Sequence, residues 1–270
     1  MAREKPVSLS REALPESLFP DSSFSFRCHP GLACFNQCCL APTVVLSPYD
    51  IWRLQDGLGI SSGELLERYT LRHPEERSNL PLVFVDAFSS PKGCPFLTPG
   101  GCGVYPHRPG ACRLFPVTMG SQLTPQGVVD HYFCRRLDYC QGFNDGPRWT
   151  LESWKADQNF AGEEQDRRAW FELILRQALA GPLPATPGAQ DLFFTLAYDL
   201  DGLRRLLSEP SFLQAAGLEA APETYLALDD PELLRFSCRY LKAALAGEGG
   251  GLPAVAQRIA AGPRGAGRPG

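Results

Sequence analysis

The chain has 270 residues, of which 44% are hydrophobic and 21% are charged, a balance typical of a globular protein with a hydrophobic core. The formal net charge of -4 disfavours a nucleic-acid-binding protein, which would usually carry a basic face. No apolar run is long enough to cross a membrane, and residues 1–20 carry scattered charges without the apolar centre of a signal peptide. We therefore expect a cytoplasmic protein with no nucleic-acid or membrane partner.

Composition divides the chain into four segments. Residues 1–22 form a polar N-terminal lead-in, and residues 23–147 form a Pro- and Gly-rich domain that holds most of the cysteines. Residues 148–247 have helical periodicity, and the Gly-rich segment 248–270 is predicted to be a disordered tail. The predicted fold class is α+β: a Cys-rich metal-binding domain with short helices and few short strands, followed by an all-helical C-terminal region.

Within the Cys-rich segment, two capping patterns and two apolar runs predict regular elements. Residues 47–50 (Ser-Pro-Tyr-Asp) and 61–64 (Ser-Ser-Gly-Glu) are typical of helix N-termini. Residues 81–87 and 128–133 are predicted strands.

Three longer patterns predict helices in the second half. They cover residues 163–180, where Gly181 and a following proline end the helix, residues 191–208, and a segment that begins at Asp230. The apolar stripes of these helices indicate core packing rather than a cofactor site.

Nine of the ten cysteines lie in one region, and we interpret all nine as candidate metal ligands: Cys28, Cys34, Cys38, Cys39, Cys94, Cys102, Cys112, Cys134 and Cys140. Clustered thiols in a reducing compartment are more simply explained as ligands than as disulfides, although the even number of cysteines keeps disulfides open. Thiolates are the ligands that zinc and iron–sulfur clusters prefer, usually four at each site.

The adjacent pair Cys38 and Cys39 leaves two arrangements open. A helical turn would place Cys34 and Cys38 on one face, whereas an extended segment would point Cys38 and Cys39 to opposite faces. Two adjacent cysteines do not easily bind one ion. Either the pair serves two sites, or one member packs as a small hydrophobic residue.

The remaining cysteines lie in sequences that favour ligand geometry. Cys94 and Cys102 flank a Pro-Gly-Gly turn, and Pro109 is expected to begin a short helix with Cys112 in its first turn. Nearby arginines would either offset the thiolate charge or lie on the surface: Arg108, Arg113, Arg135 and Arg136. Three nearby histidines are weaker candidate ligands: His29, His107 and His131.

Several motifs together resemble the YkgJ-like cysteine-cluster family, also known by the pattern CxxCxxCC: residues 34–39 (CFNQCC), 46–54 (LSPYDIWRL), 93–97 (GCPFL), 102–105 (CGVY), 108–116 (RPGACRLFP) and 140–142 (CQG). The resemblance extends over roughly residues 24–246. It implies a zinc- or iron-chelating domain. In this chain the first cysteine gaps are five and three residues, whereas the family pattern has two and two.

These observations favour a cytoplasmic metal-binding protein that holds zinc or iron, including the case of a [4Fe–4S] cluster. Flagellin lysine methylases carry a similar cluster, so the resemblance also keeps open an S-adenosylmethionine-dependent lysine methyltransferase. A redox or electron-transfer protein is the third hypothesis. No Gly-rich nucleotide loop or separate catalytic constellation supports an enzyme. The sequence assigns no physiological role.

Overall fold

Small antiparallel sheets and short helices build the first half of the molecule, and helices build the second half. The computed structural model describes residues 16–90, 93–184, 186 and 188–261. The strands of these residues are β1 (Glu16–Leu18), β2 (Ser23–Ser25), β3 (Val45–Leu46), β4 (Thr70–Pro74), β5 (Pro81–Val85), β6 (Leu97–Thr98), β7 (Gly101–Cys102), β8 (Val117–Thr124), β9 (Gly127–Cys134) and β10 (Arg148–Thr150).

The α-helices of the described residues are α1 (Pro48–Leu58), α2 (Ser62–Tyr69), α3 (Gly110–Leu114), α4 (Leu151–Asp157), α5 (Glu164–Ala180), α6 (Ala189–Tyr198), α7 (Leu200–Ser208), α8 (Pro210–Ala216), α9 (Pro222–Leu226), α10 (Asp230–Leu245) and α11 (Gly251–Ala261). This arrangement confirms the predicted α+β class with a helical C-terminal region. No helix in the described part of the chain is long and apolar enough to cross a membrane.

The strands pair in four small antiparallel sheets. Two sheets have three strands, in the orders β1-β9-β8 and β3-β5-β4, and two have two strands, β10-β2 and β6-β7. The predicted strands 81–87 and 128–133 are confirmed as β5 and β9. The other strands are mostly two to five residues long, too short to produce a clear alternation in the sequence.

The predicted capping residues begin the first two helices. The Ser47 hydroxyl accepts a hydrogen bond from the backbone N–H of Asp50, and the Asp50 carboxylate accepts one from the backbone N–H of Ser47 at 2.8 Å. At α2, the Ser61 hydroxyl accepts from the backbone N–H of Glu64 at 3.1 Å. The short helix after Pro109 is also confirmed, as α3.

The predicted single helix over residues 191–208 is wrong, because the chain bends at Asp199 between α6 and α7. Asp199 has a non-helical backbone, with φ -95° and ψ 85°. Its carboxylate accepts hydrogen bonds from the backbone N–H of Gly202 at 3.0 Å and from the Ser62 hydroxyl at 2.6 Å. An aspartate side chain that caps the next helix competes with helix continuation.

The predicted disorder of residues 248–270 is wrong for the part of this segment that the structure describes. The Gly-rich run forms a turn that leads into α11, where Leu252 and Val255 are buried. The Arg258 guanidinium donates to the carbonyl of Ala215 at 2.8 Å. Residues 262–270 lie outside the described residues, as do residues 1–15 of the predicted lead-in, whose last part contains β1.

The described residues form two hydrophobic cores, and each core contains residues from both sides of position 147. The first core joins α1, α2 and the β3-β5-β4 sheet to the helices α5 to α11. The second core joins the β1-β9-β8 and β10-β2 sheets to α4, with an aromatic group of Phe24, Phe26 and Trp154 at its centre. The Cys-rich segment therefore contributes to both cores and connects them.

Candidate metal centre

Four cysteines from three separate stretches line one small cavity. Cys28 follows β2, Cys34 and Cys38 lie in the turns that follow it, and Cys140 lies in the loop after β9. The cavity has a volume of about 20 Å³, and Phe115 and Tyr139 also line it. We call Cys28, Cys34, Cys38 and Cys140 the outer thiol group.

Hydrogen bonds join the two chain segments that carry the outer thiol group, residues 27–38 and residues 140–142. The backbone N–H of Gln141 donates to the Cys34 sulfur at 3.2 Å, and the Cys34 and Cys140 side chains also share a hydrogen bond. The backbone N–H of Arg27 donates to the carbonyl of Gly142 at 2.8 Å. The loop that carries Cys140 is thus fixed beside the segment that carries Cys28 and Cys34.

Four other cysteines form a second group, which we call the inner thiol group: Cys39, Cys94, Cys102 and Cys112. The backbone N–H of Cys94 donates to the carbonyl of Cys39 at 2.8 Å. Gly93, with φ 84°, permits this approach, because a Cβ atom there would lie 2.6 Å from the Cys39 carbonyl oxygen. Cys102 lies in β7, opposite Leu97.

Burial and mutual repulsion both disfavour ionisation of the inner thiols. Burial, followed by the charge of Cys94, raises the pKa of Cys112 to about 12. Burial is also the largest cause that raises the pKa of Cys94 and of Cys102, and the charge of Cys102 adds to the increase at Cys94. Thiols in this arrangement are charged at low free-energy cost only when a cation neutralises them.

The adjacent cysteines lie where the two groups meet. Cys38 and Cys39 form part of a 3₁₀ turn, Gln37–Cys39, and their sulfur atoms are 3.8 Å apart. Cys38 lines the cavity of the outer group, and the charges of Cys94 and Cys112 act to raise the pKa of Cys39. The charge of Cys38 also acts to raise the pKa of Cys94 and of Cys102, so Cys38 lies near the inner group as well. The hydrogen bond between the two thiols is the main cause that lowers the pKa of Cys38 to about 7.

The thiols are neighbours, but they do not surround a common point. Among the residues that the structure describes, no three His, Cys, Asp or Glu side chains are arranged closely enough to hold a metal ion. Metal binding would therefore require the cysteine side chains to converge further. All ten cysteines lie within the described residues, and each is a free thiol.

A comparison with known families bears on this part of the chain. Residues 27–141 match the model of the CxxCxxCC domain, which is described as a putative zinc- or iron-chelating domain. Over these residues the chain is similar to the CxxCxxCC family. The match confirms the family predicted for the Cys-rich segment, and it supports metal binding without specifying the metal. No curated protein and no solved structure matches the chain significantly.

One further cysteine of the CxxCxxCC domain, Cys134, lies outside both thiol groups. It is 1% exposed at the end of β9, on the side that packs into the second core. Burial is the largest cause that raises its pKa to about 11. Cys238 is half-buried in α10 and packs against the first core.

The histidines of the described residues make other contacts. The backbone N–H of Gly31 donates to His29 Nδ1 at 3.2 Å, His107 lies 3.7 Å from the Asp56 carboxylate, and His131 contacts Gln122 at 3.2 Å. None of them lines the cavity of the outer thiol group.

Of the candidate arginines, Arg108 lies near both thiol groups. Its charge acts to lower the pKa of Cys28 and Cys38 in the outer group, and of Cys102 and Cys112 in the inner group. Arg108 is half-buried, and its guanidinium lies 3.6 Å from the ring centre of Tyr105. Arg108 is thus the candidate arginine whose charge acts on thiols of both groups.

Arg113 has a different role from the one predicted, because it is buried in a salt-bridge network. Its guanidinium lies 2.5 Å from Glu163, whose carboxylate also accepts from Arg53 at 2.7 Å and from Arg167 at 3.1 Å. Arg136 lies 4.4 Å from the ring centre of Phe143 and 3.7 Å from Glu16.

The same buried network fixes the helix that carries Cys112. Arg167 donates to both carboxylate oxygens of Asp50, at 2.5 and 3.0 Å, and the backbone N–H of Gly110 donates to Asp50 at 2.7 Å. Burial acts to raise the pKa of Asp50, but the charge and hydrogen bonds of Arg167 outweigh it and hold this pKa below its ordinary value. Asp50 is therefore a carboxylate that links α1, α3 and α5.

Sequence reasoning identified Asp50 only as a capping residue. Its partner Arg167 lies 117 residues further along the chain. The only local sign of the importance of Asp50 was its capping position within the 46–54 motif. The pairing itself depends on the tertiary fold.

Proposed function

We propose that the protein binds two metal centres, of zinc or iron, through eight cysteine thiolates. The outer thiol group would hold one centre and the inner thiol group the other. The observation that carries this proposal is the position of the adjacent pair: Cys38 lines the cavity with Cys28 and Cys140, and the carbonyl of Cys39 accepts a hydrogen bond from the backbone N–H of Cys94 at 2.8 Å. This position corresponds to the alternative in which Cys38 and Cys39 serve two different sites.

The donor set fits these metals. Four thiolates are the usual ligand set of a structural zinc site and of an iron–sulfur cluster. Each such site carries excess negative charge, and Arg108 lies where it can offset part of that charge at both centres. The cavity of about 20 Å³ in the outer thiol group matches a single ion better than a cluster of several atoms.

The two centres would be close neighbours. With metal–sulfur bonds of about 2.3 Å and Cys38 and Cys39 sulfurs 3.8 Å apart, the metal-to-metal distance cannot exceed about 8.4 Å. A tetrahedral zinc site also has sulfur–sulfur distances of about 3.8 Å. The alternative is therefore a single ion bound by both Cys38 and Cys39, and the metal stoichiometry distinguishes the two cases.

A structural role follows from the position of the thiol groups. Cys94, Cys102 and Cys112 pack against the first core, whereas Cys140 packs against the second. Two neighbouring metal centres would thus tie the two cores together across the Pro- and Gly-rich segment. Thiolate centres of this kind persist in a reducing compartment, which supports the expected cytoplasmic location.

Elemental analysis and a visible spectrum of protein purified without oxygen test the proposal. We expect two equivalents of metal for each chain, and a colourless protein if the metal is zinc. A folded protein without metal, or one with a single equivalent, would contradict two centres. A brown protein that contains iron and sulfide and bleaches on reduction would support the electron-transfer hypothesis instead.

A further inference from the structure

We infer that the two centres differ in function: the outer centre exchanges its metal with a thiol-bearing acceptor, and the inner centre is structural. This inference rests on the proposed function, since it assigns separate roles to the two sites.

The first observation is the difference in exposure. Cys28 and Cys38 of the outer thiol group are exposed to solvent, whereas all four cysteines of the inner thiol group are half-buried. Of the other two outer cysteines, Cys140 is half-buried and Cys34 is buried, so the solvent side of the outer group is the side of Cys28 and Cys38. Tyr139, which lines the outer cavity, is 42% exposed and marks the solvent side of the site. An incoming ligand can therefore approach the outer centre without any unfolding of the chain.

The second observation is the difference in support. Cys112 of the inner group lies in α3, which is attached to the buried Asp50–Arg167 pair through Gly110. No member of the outer group lies in an α-helix: Cys34 and Cys38 lie in the turns after β2, and Cys140 follows β9. Cys39 of the inner group shares the turn of Cys38, so the difference in support comes from Cys112. Local opening requires less free energy in exposed loops than in segments that are packed against a core.

The exchange is a stepwise substitution of ligands. An acceptor thiolate forms a bond to the metal, and the bond between the metal and Cys28 or Cys38 breaks. The displaced cysteine takes up the proton that the acceptor thiol has lost. The metal keeps its charge and its number of ligands, and no oxidant or reductant is needed. Repetition of this step transfers the ion to the acceptor.

Metal release from the zinc-loaded chain to the chromogenic chelator 4-(2-pyridylazo)resorcinol tests the inference. We expect two phases of one equivalent each, with the first at least about tenfold faster than the second. Cys28→Ser should remove or accelerate only the fast phase, and Cys112→Ser should affect only the slow phase. Cys238→Ser, which changes a cysteine outside both groups, should leave both phases unchanged.

The chain with all its cysteines gives an independent measurement if a variant fails to fold. Brief treatment of the zinc-loaded protein with iodoacetamide, followed by peptide mass spectrometry, should label Cys28 and Cys38 before Cys94 and Cys112. Release of two equivalents in a single phase, or equal labelling of both groups, would overturn the inference and leave the proposed function intact. Release of only one equivalent in total would instead contradict the proposed function.

Discussion

Gly110 shows how a single residue sets the position of a candidate ligand. A Cβ atom at Gly110 would lie 2.7 Å from the guanidinium carbon of Arg167, so a side chain there would push Arg167 away from Asp50. We expect Gly110→Ala to lower the free energy of unfolding of the metal-loaded protein by about 1–3 kcal/mol in urea denaturation.

Gly63 provides the matched control for this substitution. It lies in α2, where a Cβ atom would meet nothing within 4 Å. Gly63→Ala should leave the stability unchanged or raise it by up to about 1 kcal/mol, because alanine favours the helix. Equal effects of the two substitutions would show that Arg167 does not occupy the space beside Gly110.

Asp50 is the second residue whose substitution should have a large effect on the free energy of unfolding. Asp50→Asn removes one charge of a buried pair and leaves Arg167 with Glu163 alone, so the free energy of unfolding at neutral pH should fall by about 3 kcal/mol. Asp191→Asn breaks the exposed pair with Arg72 and should cost less than about 1 kcal/mol in the same urea titration.

This effect should depend on pH with a defined sign. Because the pKa of Asp50 is held below its ordinary value of 3.8, the charged carboxylate stabilises the folded protein above that pH, and the stabilisation is lost as the pH falls through the lower folded-state value. The difference in stability between the native chain and Asp50→Asn should therefore shrink below pH 3.8. A constant difference would contradict the ion pair with Arg167.

At the scale of elements, α11 shows that a Gly-rich segment can carry a helix that completes the core. Leu252 is fully buried, whereas Ile259 in the same helix is 39% exposed. We expect Leu252→Ala to lower the free energy of unfolding by about 2–5 kcal/mol. Ile259→Ala should change the free energy of unfolding by less than about 1 kcal/mol, because its side chain is partly exposed. If both substitutions have similarly small effects in thermal unfolding, α11 does not pack as described.

Elements with strong local signals could be predicted from the sequence, whereas those that depend on distant partners could not. The capping serines at residues 47 and 61 predicted α1 and α2, because a cap acts within one helical turn. The break at Asp199 escaped prediction, since the apolar periodicity continues across it and its partner Ser62 lies 137 residues away.

The same distinction applies to the candidate site. The clustering of the cysteines predicted the metal-binding segment, because it is a local property of the sequence. The division of eight of them into an outer and an inner group depends on how the loop that carries Cys140 packs beside Cys34, over a separation of 106 positions in the printed sequence. The placement of Cys134 in the second core likewise depends on tertiary packing and not on a local sequence pattern.

At the scale of the whole molecule, the thiol groups lie where two hydrophobic cores meet. The inner thiol group packs mainly on the first core, and Cys140 of the outer group packs on the second. A chain with two centres at this junction should fold as one unit only when the metal is bound, since metal-binding free energy is also folding free energy.

Native mass spectrometry of two double variants decides whether the two thiol groups act separately. Cys28→Ser with Cys34→Ser removes half of the outer ligands, and Cys94→Ser with Cys102→Ser removes half of the inner ligands. We expect two metal centres on the native chain and one on each double variant. If either double variant keeps both centres, or if each loses both together, the division into two four-thiolate sites is wrong.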